Sequence, residues 1–386
     1  MNTTLPALSR IGHANHCKRC LTGLPVSQTD MDAQRLALVF YCIGGLDLLG
    51  MIQDIPEVDR RAWKDWIWAQ FTNGPSGSGF RPSPFMTGQA TTDDLVVDQT
   101  TAYDAPHIIM TYTALLSLAI LRDDFSQLNR QGVVEFIRRS QNDDGSFSTV
   151  PGRNESDLRT LYCAFAISSM LNDWSGIDIA KALRFVSSCR TYEGGYGQSP
   201  FCEAQGEVVA LSQMSSRINL AIGGTTYIAV ASLSLASSAM GGKEILTPEE
   251  KEETIHWLVS KQAVTGGFCG RTGKEADACY CFWCGAALKI LGAGKFVDRY
   301  SMVEFLGRCQ FKYGGIAKAP GESADPYHTY LSLAAISMYP PALDEGSVSP
   351  KVKQSWTSFS PLDPVLNARE ETVDWIRRHV PQPSHR

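Results

Sequence analysis

Two kinds of helical segment alternate along the chain. One kind is apolar on almost every side and rich in small residues, and it recurs at 36–49, 108–121, 158–171, 225–240, 278–291 and 327–339. The other kind is polar or amphipathic, and it recurs at 133–137, 179–189 and 248–262. A helix that is apolar all round is buried on every side, whereas an amphipathic helix faces solvent. The pattern predicts an all-α protein whose outer helix ring surrounds an inner ring, an α/α barrel; an open helical solenoid is the alternative.

The alternation has a period, because a glycine turn precedes most of the apolar segments. Each turn ends on an aromatic or apolar residue, and these residues are Phe80, Phe147, Tyr196, Phe268 and Ile316. Their spacing indicates a repeat of about 50 residues with insertions. Residues 72–106 are rich in Gly, Pro and Ser, and we expect them to form a long loop.

Composition narrows the class of protein. The chain has 386 residues, 44% of them hydrophobic, and a net charge of −5 with no basic block, so nucleic acid is not an expected partner. It has no apolar run of about 18 residues and no signal-peptide core, so no membrane span is expected. Most of the eleven cysteines lie in apolar helical patterns. They fit reduced thiols in a cytoplasmic protein better than a disulfide framework.

One stretch, from Gly266 to Ile290, combines residues that suggest chemistry. The cations Arg271 and Lys274 come just before a carboxylate and a thiol, Asp277 and Cys279. Cations close to potential metal ligands suggest a site that holds an anion beside a metal.

A second stretch repeats this plan. Residues 313–330 contain a glycine pair, Lys318, an acidic helix cap and then His328 at the head of another apolar helix. Each residue alone has a simpler interpretation. Lys318 alone is typical of a solvated surface, and His328 alone is more typical of a hydrogen-bonded core histidine than of a ligand.

Two other groups of metal-binding residue types have simpler explanations. His13, His16, Cys17 and Cys20 could form a zinc knuckle, but no second ligand pair follows at finger spacing, and the start of a helix is the preferred interpretation. Cys279, Cys281 and Cys284 could form a thiol cluster. On a helix, however, Cys281 points nearly opposite Cys279.

Several segments in order resemble the β subunits of protein prenyltransferases, in particular those of type I geranylgeranyltransferase. The resemblance covers roughly residues 13–340. The segments that carry it are QRLALVFYCIGGLDLL (34–49), YDAPHIIMTYTALLSLAILRDD (103–124), NDDGSFSTVP (142–151), SDLRTLYCAF (156–165), NDWSGIDIAKA (172–182), DACYCFWCGAALKIL (277–291), and GGIAKAP with DPYHTYLSL (314–333).

The resemblance implies a fold and an activity. The fold is one α6–α6 barrel domain over residues 1–386, with a central cavity, an extension at 341–386 and an α subunit as partner. The activity is transfer of a geranylgeranyl group from geranylgeranyl diphosphate to the cysteine of a C-terminal CaaX sequence, in which X is often Leu. Rho- and Rac-type small GTPases are typical substrates of such enzymes.

The resemblance also implies roles for individual residues. One zinc per chain is held by Asp277, Cys279 and His328, and its open position takes the thiol of the protein substrate. The diphosphate is bound by Arg271, Lys274, Tyr280 and Lys318. The isoprenoid is bound by Ala37, Arg159, Tyr162, Cys163, Trp283 and Leu331. His107 lies near the C-terminus of the peptide substrate.

Two positions favour geranylgeranyl transfer over farnesyl transfer. Farnesyltransferase has a tryptophan where this chain has Ala37, and the smaller residue leaves room for a fourth isoprene unit. Farnesyltransferase also has a magnesium-binding aspartate where this chain has Lys318. The lysine supplies positive charge itself, so magnesium is not expected to be required.

One departure leaves alternatives open. The family places a histidine directly before a Gly-Gly motif, whereas here residues 206–222 are inserted before Gly223, so Gln205 or Ile222 takes the place of that histidine. The insertion is either a lineage-specific loop or a retained intron. The insertion leaves an inactive helical scaffold as one alternative. A farnesyltransferase or Rab-type geranylgeranyltransferase β subunit is the alternative within the family.

Overall fold

A computed structural model describes residues 5–23, 34–83, 105–152, 155–202, 224–343 and 348–380. The inserted residues 206–222, together with Gln205 and Gly223, lie outside the described part of the chain. None of the helices in these ranges is long and apolar enough to cross a membrane.

The described residues are mostly helical, with a few short antiparallel hairpins. In chain order the elements are α1 (Arg10–Thr22), α2 (Arg35–Leu48), α3 (Glu57–Trp68), β1 (Phe71–Gly74), β2 (Gly77–Phe80), α4 (Ile108–Ile120), α5 (Arg130–Ser140), α6 (Leu158–Leu171), α7 (Ile179–Ser188), α8 (Thr225–Ala239), α9 (Pro248–Val259), β3 (Phe268–Cys269), β4 (Ala276–Asp277), α10 (Ala278–Ile290), α11 (Arg299–Arg308), β5 (Ile316–Ala317), β6 (Ala324–Asp325), α12 (Pro326–Met338), α13 (Pro350–Thr357), β7 (Leu362–Asp363), β8 (Ala368–Arg369) and α14 (Glu370–His379).

Six apolar helices form a closed inner ring. Each of α2, α4, α6, α8, α10 and α12 packs against the next, and α12 packs against α2. Almost all of their side chains are buried. The amphipathic helices α1, α3, α5, α7, α9 and α11 lie outside this ring. Because the ring closes, the predicted α/α barrel is confirmed and the open solenoid is wrong.

The outer helices begin at residues whose side chains cap the free backbone N–H groups. Asn129, Asp178 and Asp298 each accept a hydrogen bond from a backbone N–H of the helix that follows. Thr247 and Glu250 form a reciprocal capping box at the start of α9, with proline as its first residue. Such caps each stabilise a helix by about 1 kcal/mol. They fix where each outer helix begins and therefore how the repeats are joined.

The predicted glycine turns lock neighbouring repeats together. Gly145, Gly194, Gly266 and Gly314 all have φ near +90°, a region that side chains with a Cβ rarely adopt. A Cβ on Gly194 would lie 2.7 Å from the carbonyl oxygen of Glu253, and at the other three a Cβ would overlap the backbone of α7, α11 or α1. The glycines therefore allow each turn to touch the outer helix of another repeat.

The prediction of a continuous loop at 72–106 is wrong for its first part. Strands β1 and β2 form a hairpin in which Phe71 pairs with Phe80. The rings of Phe71, Phe80 and Trp68 pack together with centroids 5.0–5.7 Å apart. This aromatic cluster orders a segment whose composition alone favours a loop. Residues 84–104 lie outside the described ranges.

The C-terminal extension reaches into the interior of the barrel. Tyrosine hydroxyls from α4, α6, α8 and α12 donate hydrogen bonds to consecutive backbone carbonyls of the β7–β8 turn; the pairs are Tyr227 with Pro364, Tyr162 with Val365, Tyr112 with Leu366 and Tyr330 with Asn367. At the C-terminal end of α2, Arg369 forms a 2.7 Å ion pair with the buried carboxylate of Asp47. The extension is therefore an integral part of the barrel interior.

The turn contacts predict a specific loss of stability. Gly266→Ala would place a Cβ against the carbonyl oxygen of Ser301 at φ +91°. We expect the free energy of unfolding, measured by urea denaturation, to fall by about 2–4 kcal/mol from strain and overlap together. The control is Gly292→Ala, because Gly292 also has a positive φ but its added Cβ would meet no described atom within 4 Å. We expect a loss of about 1 kcal/mol there. Equal losses would contradict the packing role.

Candidate metal centre and anion pocket

Equivalent hairpins of two neighbouring repeats build the centre of the site. In the first, Phe268 of β3 pairs with Asp277 of β4, and in the second Ile316 of β5 pairs with Asp325 of β6. Each aspartate is the N-cap of the inner helix that follows. The carbonyl of Lys318 accepts a 2.9 Å hydrogen bond from the backbone N–H of Ala278, which joins the two hairpins.

Asp277, Cys279 and His328 come together at this junction. Their potential metal-binding atoms all lie within 4.8 Å of one another. Asp277 and Cys279 are buried, and Nε2 of His328 is 3.4 Å from Oδ1 of Asp277. Asp277 also accepts a 3.0 Å hydrogen bond from the backbone N–H of Cys279, which fixes its carboxylate. A carboxylate, a thiol and an imidazole in this arrangement can hold a transition-metal ion.

Asp325 also belongs to this group, although the sequence interpretation treated it only as a helix cap. Its Oδ2 lies 2.6 Å from Nδ1 of His328, and its Oδ1 accepts from the backbone N–H of the same residue. A carboxylate on Nδ1 directs Nε2 toward Asp277 and makes it a better ligand. The Asp-x-x-His spacing was the available signal, since a residue at the third helical position reaches back to its N-cap.

The charges within this group are strongly coupled. Burial lowers the pKa of His328, but hydrogen bonds and charge from Asp277 and Asp325 outweigh burial and raise it to about 10. Burial raises the pKa of Asp277. Hydrogen bonds and charge from His328, together with the hydrogen bond from the Cys279 backbone, lower it by more, so the net shift is downward. A metal bound at Nε2 must therefore displace a proton from His328, and metal binding becomes weaker as the pH falls.

A pocket of about 480 Å³ adjoins the metal centre. It is lined by all four residues predicted to bind diphosphate, which are Arg271, Lys274, Tyr280 and Lys318. Asp277 lies on its wall, and Nζ of Lys318 is 3.9 Å from Oδ2 of that carboxylate. Lys318 is 54% exposed, so its amine can also reach a ligand in the pocket. Two carboxylates, Glu275 and Glu322, also line the wall.

Of the residues predicted to bind isoprenoid, Tyr162 and Trp283 line one small interior cavity. Its volume is about 10 Å³, and its other walls are Phe40, Tyr41, Tyr112, Thr113, Tyr227 and Asn367. Ala37, Cys163 and Leu331 are buried in the inner helices but are not among its lining residues. Ala37 lies one helical turn before Phe40 and Tyr41, on the same side of α2.

Arg159 and His107 are not among the residues that line this cavity. The guanidinium of Arg159 donates two hydrogen bonds, of 2.9 and 2.5 Å, to the carboxylate of Asp157, the N-cap of α6. Gln198 donates to the same carboxylate oxygen. His107 is the N-cap residue of α4, and its buried Nδ1 has no hydrogen-bond partner among the described residues. Burial, together with the charge of Arg159, lowers the pKa of His107 to about 4.

The alternative zinc knuckle near the N-terminus is not formed. His13, His16, Cys17 and Cys20 lie on helix α1, and their donor atoms do not form a metal-binding group within the described ranges. His13 instead accepts a 3.0 Å hydrogen bond from the backbone N–H of Gly315, which attaches α1 to the hairpin of Lys318. The preferred interpretation, a helix, is confirmed.

Known proteins share both the sequence and the fold. The family model of the prenyltransferase alpha-alpha toroid domain matches residues 8–368. The β subunit of geranylgeranyl transferase type 1 from Dictyostelium discoideum is 36% identical over 337 residues, covering 84% of this chain and 89% of that protein. The corresponding subunit from Arabidopsis thaliana is 32% identical over 333 residues, covering 85% and 83%.

More distant relatives extend the comparison. The farnesyltransferase β subunit of Schizosaccharomyces pombe is 28% identical, covering 84% of this chain and 76% of that protein. The solved structure of Candida albicans protein geranylgeranyltransferase-I complexed with GGPP matches with a TM-score of 0.77 at 23% identity. It covers 97% of this chain and 100% of that chain, and it shows the shared fold. The chain therefore belongs to the prenyltransferase alpha-alpha toroid family, as a β-subunit-type prenyltransferase similar to the type-1 geranylgeranyl transferases.

Proposed function

We propose that this chain is the catalytic β subunit of a zinc-dependent protein geranylgeranyltransferase type I. It would transfer a geranylgeranyl group from geranylgeranyl diphosphate to the cysteine thiol of CaaX-ending proteins such as Rho- and Rac-type GTPases. One observation carries the proposal: the three metal-binding side chains and the cationic pocket share a wall at Asp277. A thiol held at the metal would then lie beside a bound diphosphate.

The donor set fits zinc. Bonds of about 2.0–2.3 Å in a tetrahedral site place the ligand atoms roughly 3.3–3.8 Å apart. Nε2 of His328 and Oδ1 of Asp277 are already 3.4 Å apart. Three protein ligands are typical of catalytic zinc, which keeps a fourth position open. When bound there, zinc would accept the substrate thiol and lower its pKa.

Side chains of the protein itself would contribute positive charge and exclude water. Arg271, Lys274 and Lys318 line one pocket and would face the negative charge that develops on a departing diphosphate. Preorganised electrostatic contacts of this kind accelerate a reaction. Nearby, Nε1 of Trp283 donates a 3.1 Å hydrogen bond to the hydroxyl of Tyr327, and both rings are buried. Aromatic faces there would exclude water and favour the positive charge that develops on an allylic carbon.

The remaining parts of the proposal rest on the family. The active form would be a heterodimer with a prenyltransferase α subunit, located in the cytoplasm, and residues 1–386 would form one domain. The roles of Arg159, Cys163 and Leu331 in isoprenoid binding, and of His107 in peptide binding, stay predictions. A farnesyl or Rab-type transferase and an inactive scaffold are the outcomes that the following experiments separate from this proposal.

The preferred length of the isoprenoid provides the first test. With the α subunit co-expressed, we expect the wild-type complex to prefer geranylgeranyl over farnesyl diphosphate and a peptide that ends in Leu over one that ends in Ser. Ala37→Trp should shift the preference toward farnesyl diphosphate, because the indole would fill space for the fourth isoprene unit. Ala37→Ser is the matched control and should keep the wild-type preference. An unchanged preference in Ala37→Trp would show that residue 37 does not set the length of the isoprenoid that the enzyme accepts.

Metal content provides the second test. We expect elemental analysis to find one zinc per chain, lost or strongly weakened in Asp277→Ala, Cys279→Ala or His328→Ala. Asp325→Asn should weaken zinc affinity by roughly 10–100-fold, as is usual for partners that orient a histidine ligand. Cys281→Ala removes a buried thiol from the same helix and should retain zinc. Stoichiometric zinc in a Cys279/His328 double alanine variant would refute the assignment.

The third test concerns the fixed cation of the diphosphate pocket. Turnover with zinc should not depend on magnesium, and Lys318→Ala should lower the rate by roughly 10²–10³, as for one electrostatic contact in a transition state. Lys318→Asp should also be slow, but millimolar magnesium should restore part of its rate, since carboxylate and diphosphate oxygens together can bind that ion.

The insertion requires a control background for this test. A variant without residues 206–222 and with histidine in place of Gln205 should show the same Lys318 effects. Magnesium-dependent turnover of the unmutated chain would contradict the role of Lys318. So would a Lys318→Ala variant whose turnover rate is unchanged in both backgrounds. Zinc binding without any transfer in the wild-type chain, but with transfer in this background, would identify the unmodified chain as an inactive scaffold.

A further inference from the structure

A buried lysine contacts the loop that carries two cations of the anion pocket. Lys261 follows the C-terminal end of α9 and is only 5% exposed. Its Nζ donates a 2.8 Å hydrogen bond to the hydroxyl of Thr272 and lies 4.5 Å from the centroid of the Trp257 ring. Nε1 of Trp257 donates a 3.3 Å hydrogen bond to the carboxylate of Glu193, so the ring against which the amine packs is itself held in place.

Thr272 lies between two cations of the anion pocket. Residues 270–275 join β3 to β4, and Arg271 and Lys274 of this loop line the pocket. The backbone N–H of Lys274 donates to the carbonyl of Arg271 at 3.4 Å, so Thr272 sits inside a tight turn. A hydrogen bond to Thr272 therefore restrains the backbone from which both cations extend.

Lys261 also holds the base of this hairpin. Its carbonyl accepts a 2.8 Å hydrogen bond from the backbone N–H of Cys269, and Cys269 pairs with Ala276 across the hairpin. Burying an amine costs free energy unless the amine is hydrogen-bonded. An apolar side chain of similar length could fill the same space against Trp257 without that cost. The hydrogen bond to Thr272 is thus the property that distinguishes lysine from an apolar residue at this position.

We propose that Lys261 is a positioning residue for the diphosphate group of the isoprenoid substrate. It holds Thr272, and through it the turn, so that Arg271 and Lys274 are in place before the anion binds. A loop that is already ordered loses less conformational freedom on binding, which raises the affinity. The inference rests on the proposed function, because it takes the anion pocket as the site of the diphosphate.

Binding of inorganic diphosphate tests the inference directly. The protein is the full-length chain co-expressed with a prenyltransferase α subunit, and the measurement is isothermal titration calorimetry. Lys261→Met and Thr272→Val should each weaken binding roughly tenfold, as expected for the loss of one hydrogen bond to a charged group. Because Thr272 is exposed, Thr272→Val tests the contact without opening the protein interior.

Two control variants accompany this measurement. Thr272→Ser keeps the hydroxyl and should bind diphosphate as the wild type does. Nζ of Lys295 also lies over an aromatic ring, 5.1 Å from the centroid of Phe296, but Lys295 does not line the pocket. Lys295→Met should therefore leave diphosphate binding unchanged. An affinity for diphosphate that falls equally in Thr272→Ser and Thr272→Val would overturn the role of the hydroxyl.

The two substitutions that break the contact should not be additive. The Lys261→Met/Thr272→Val double variant should lose about as much affinity for diphosphate as either single variant, because all three lack the same hydrogen bond. Losses that add in the double variant would show that the two residues act independently, and this would contradict the inference.

Steady-state kinetics separates positioning from a general loss of structure. In Thr272→Val the KM for geranylgeranyl diphosphate should rise, while the KM for the peptide and the zinc content should stay at the wild-type values. A lower zinc content, or an equal rise of both KM values, would show that the whole hairpin is disturbed and would refute the positioning role.

Arg271→Ala distinguishes a failure of this inference from a failure of the proposed function. If Arg271→Ala weakens diphosphate binding but Lys261→Met and Thr272→Val do not, the inference is wrong and the assignment of the pocket stands. If the wild type does not bind inorganic diphosphate, or if Arg271→Ala binds it as tightly as the wild type, the assignment of the pocket is wrong and the inference falls with it.

Discussion

The close approach of turn glycines to the backbone of outer helices is the contact on which the rest of the barrel depends. A turn with a Cβ at Gly145, Gly266 or Gly314 would have to move away from α7, α11 or α1. The last of these contacts joins the end of the repeat array to its beginning, because Gly314 packs on Gly12. Since the glycines carry no side chain there, the ring can close, and the N-termini of all inner helices face the same rim.

The candidate metal centre uses a structural position that recurs in the repeats. Asp157, Asp277 and Asp325 are equivalent N-caps of inner helices, and each carboxylate satisfies a backbone N–H as helix caps commonly do. The repeats differ in what surrounds the cap. Asp157 holds Arg159, whereas the other two hold opposite sides of His328. A carboxylate already fixed by its helix loses little freedom when it also binds a metal, which makes this position well suited to a metal ligand.

The contact of the C-terminal extension with the barrel interior solves a different problem. An interior lined by tyrosines contains hydroxyls that lose hydrogen bonds to water when they are buried. The β7–β8 turn satisfies them with the free carbonyls of residues 364–367. Three of these tyrosines, Tyr112, Tyr162 and Tyr227, line the small interior cavity together with Trp283. The extension thus enters the barrel interior without contributing a lining residue to the anion pocket.

The sequence alone determined the helices, their alternation and the glycine repeat, because these follow from local periodicity and turn chemistry. It also supplied the residues of the candidate metal centre and anion pocket, although His328 and Lys318 acquired that meaning through a family resemblance and not through their local pattern. Only the tertiary structure decided that the ring closes and that Asp325 holds His328. The physical reason is distance along the chain: α1 and the hairpin of Lys318 are about 300 residues apart, and they meet only when the ring closes. The hairpin at 71–80 escaped sequence interpretation for the related reason that aromatic packing overrode its loop-like composition.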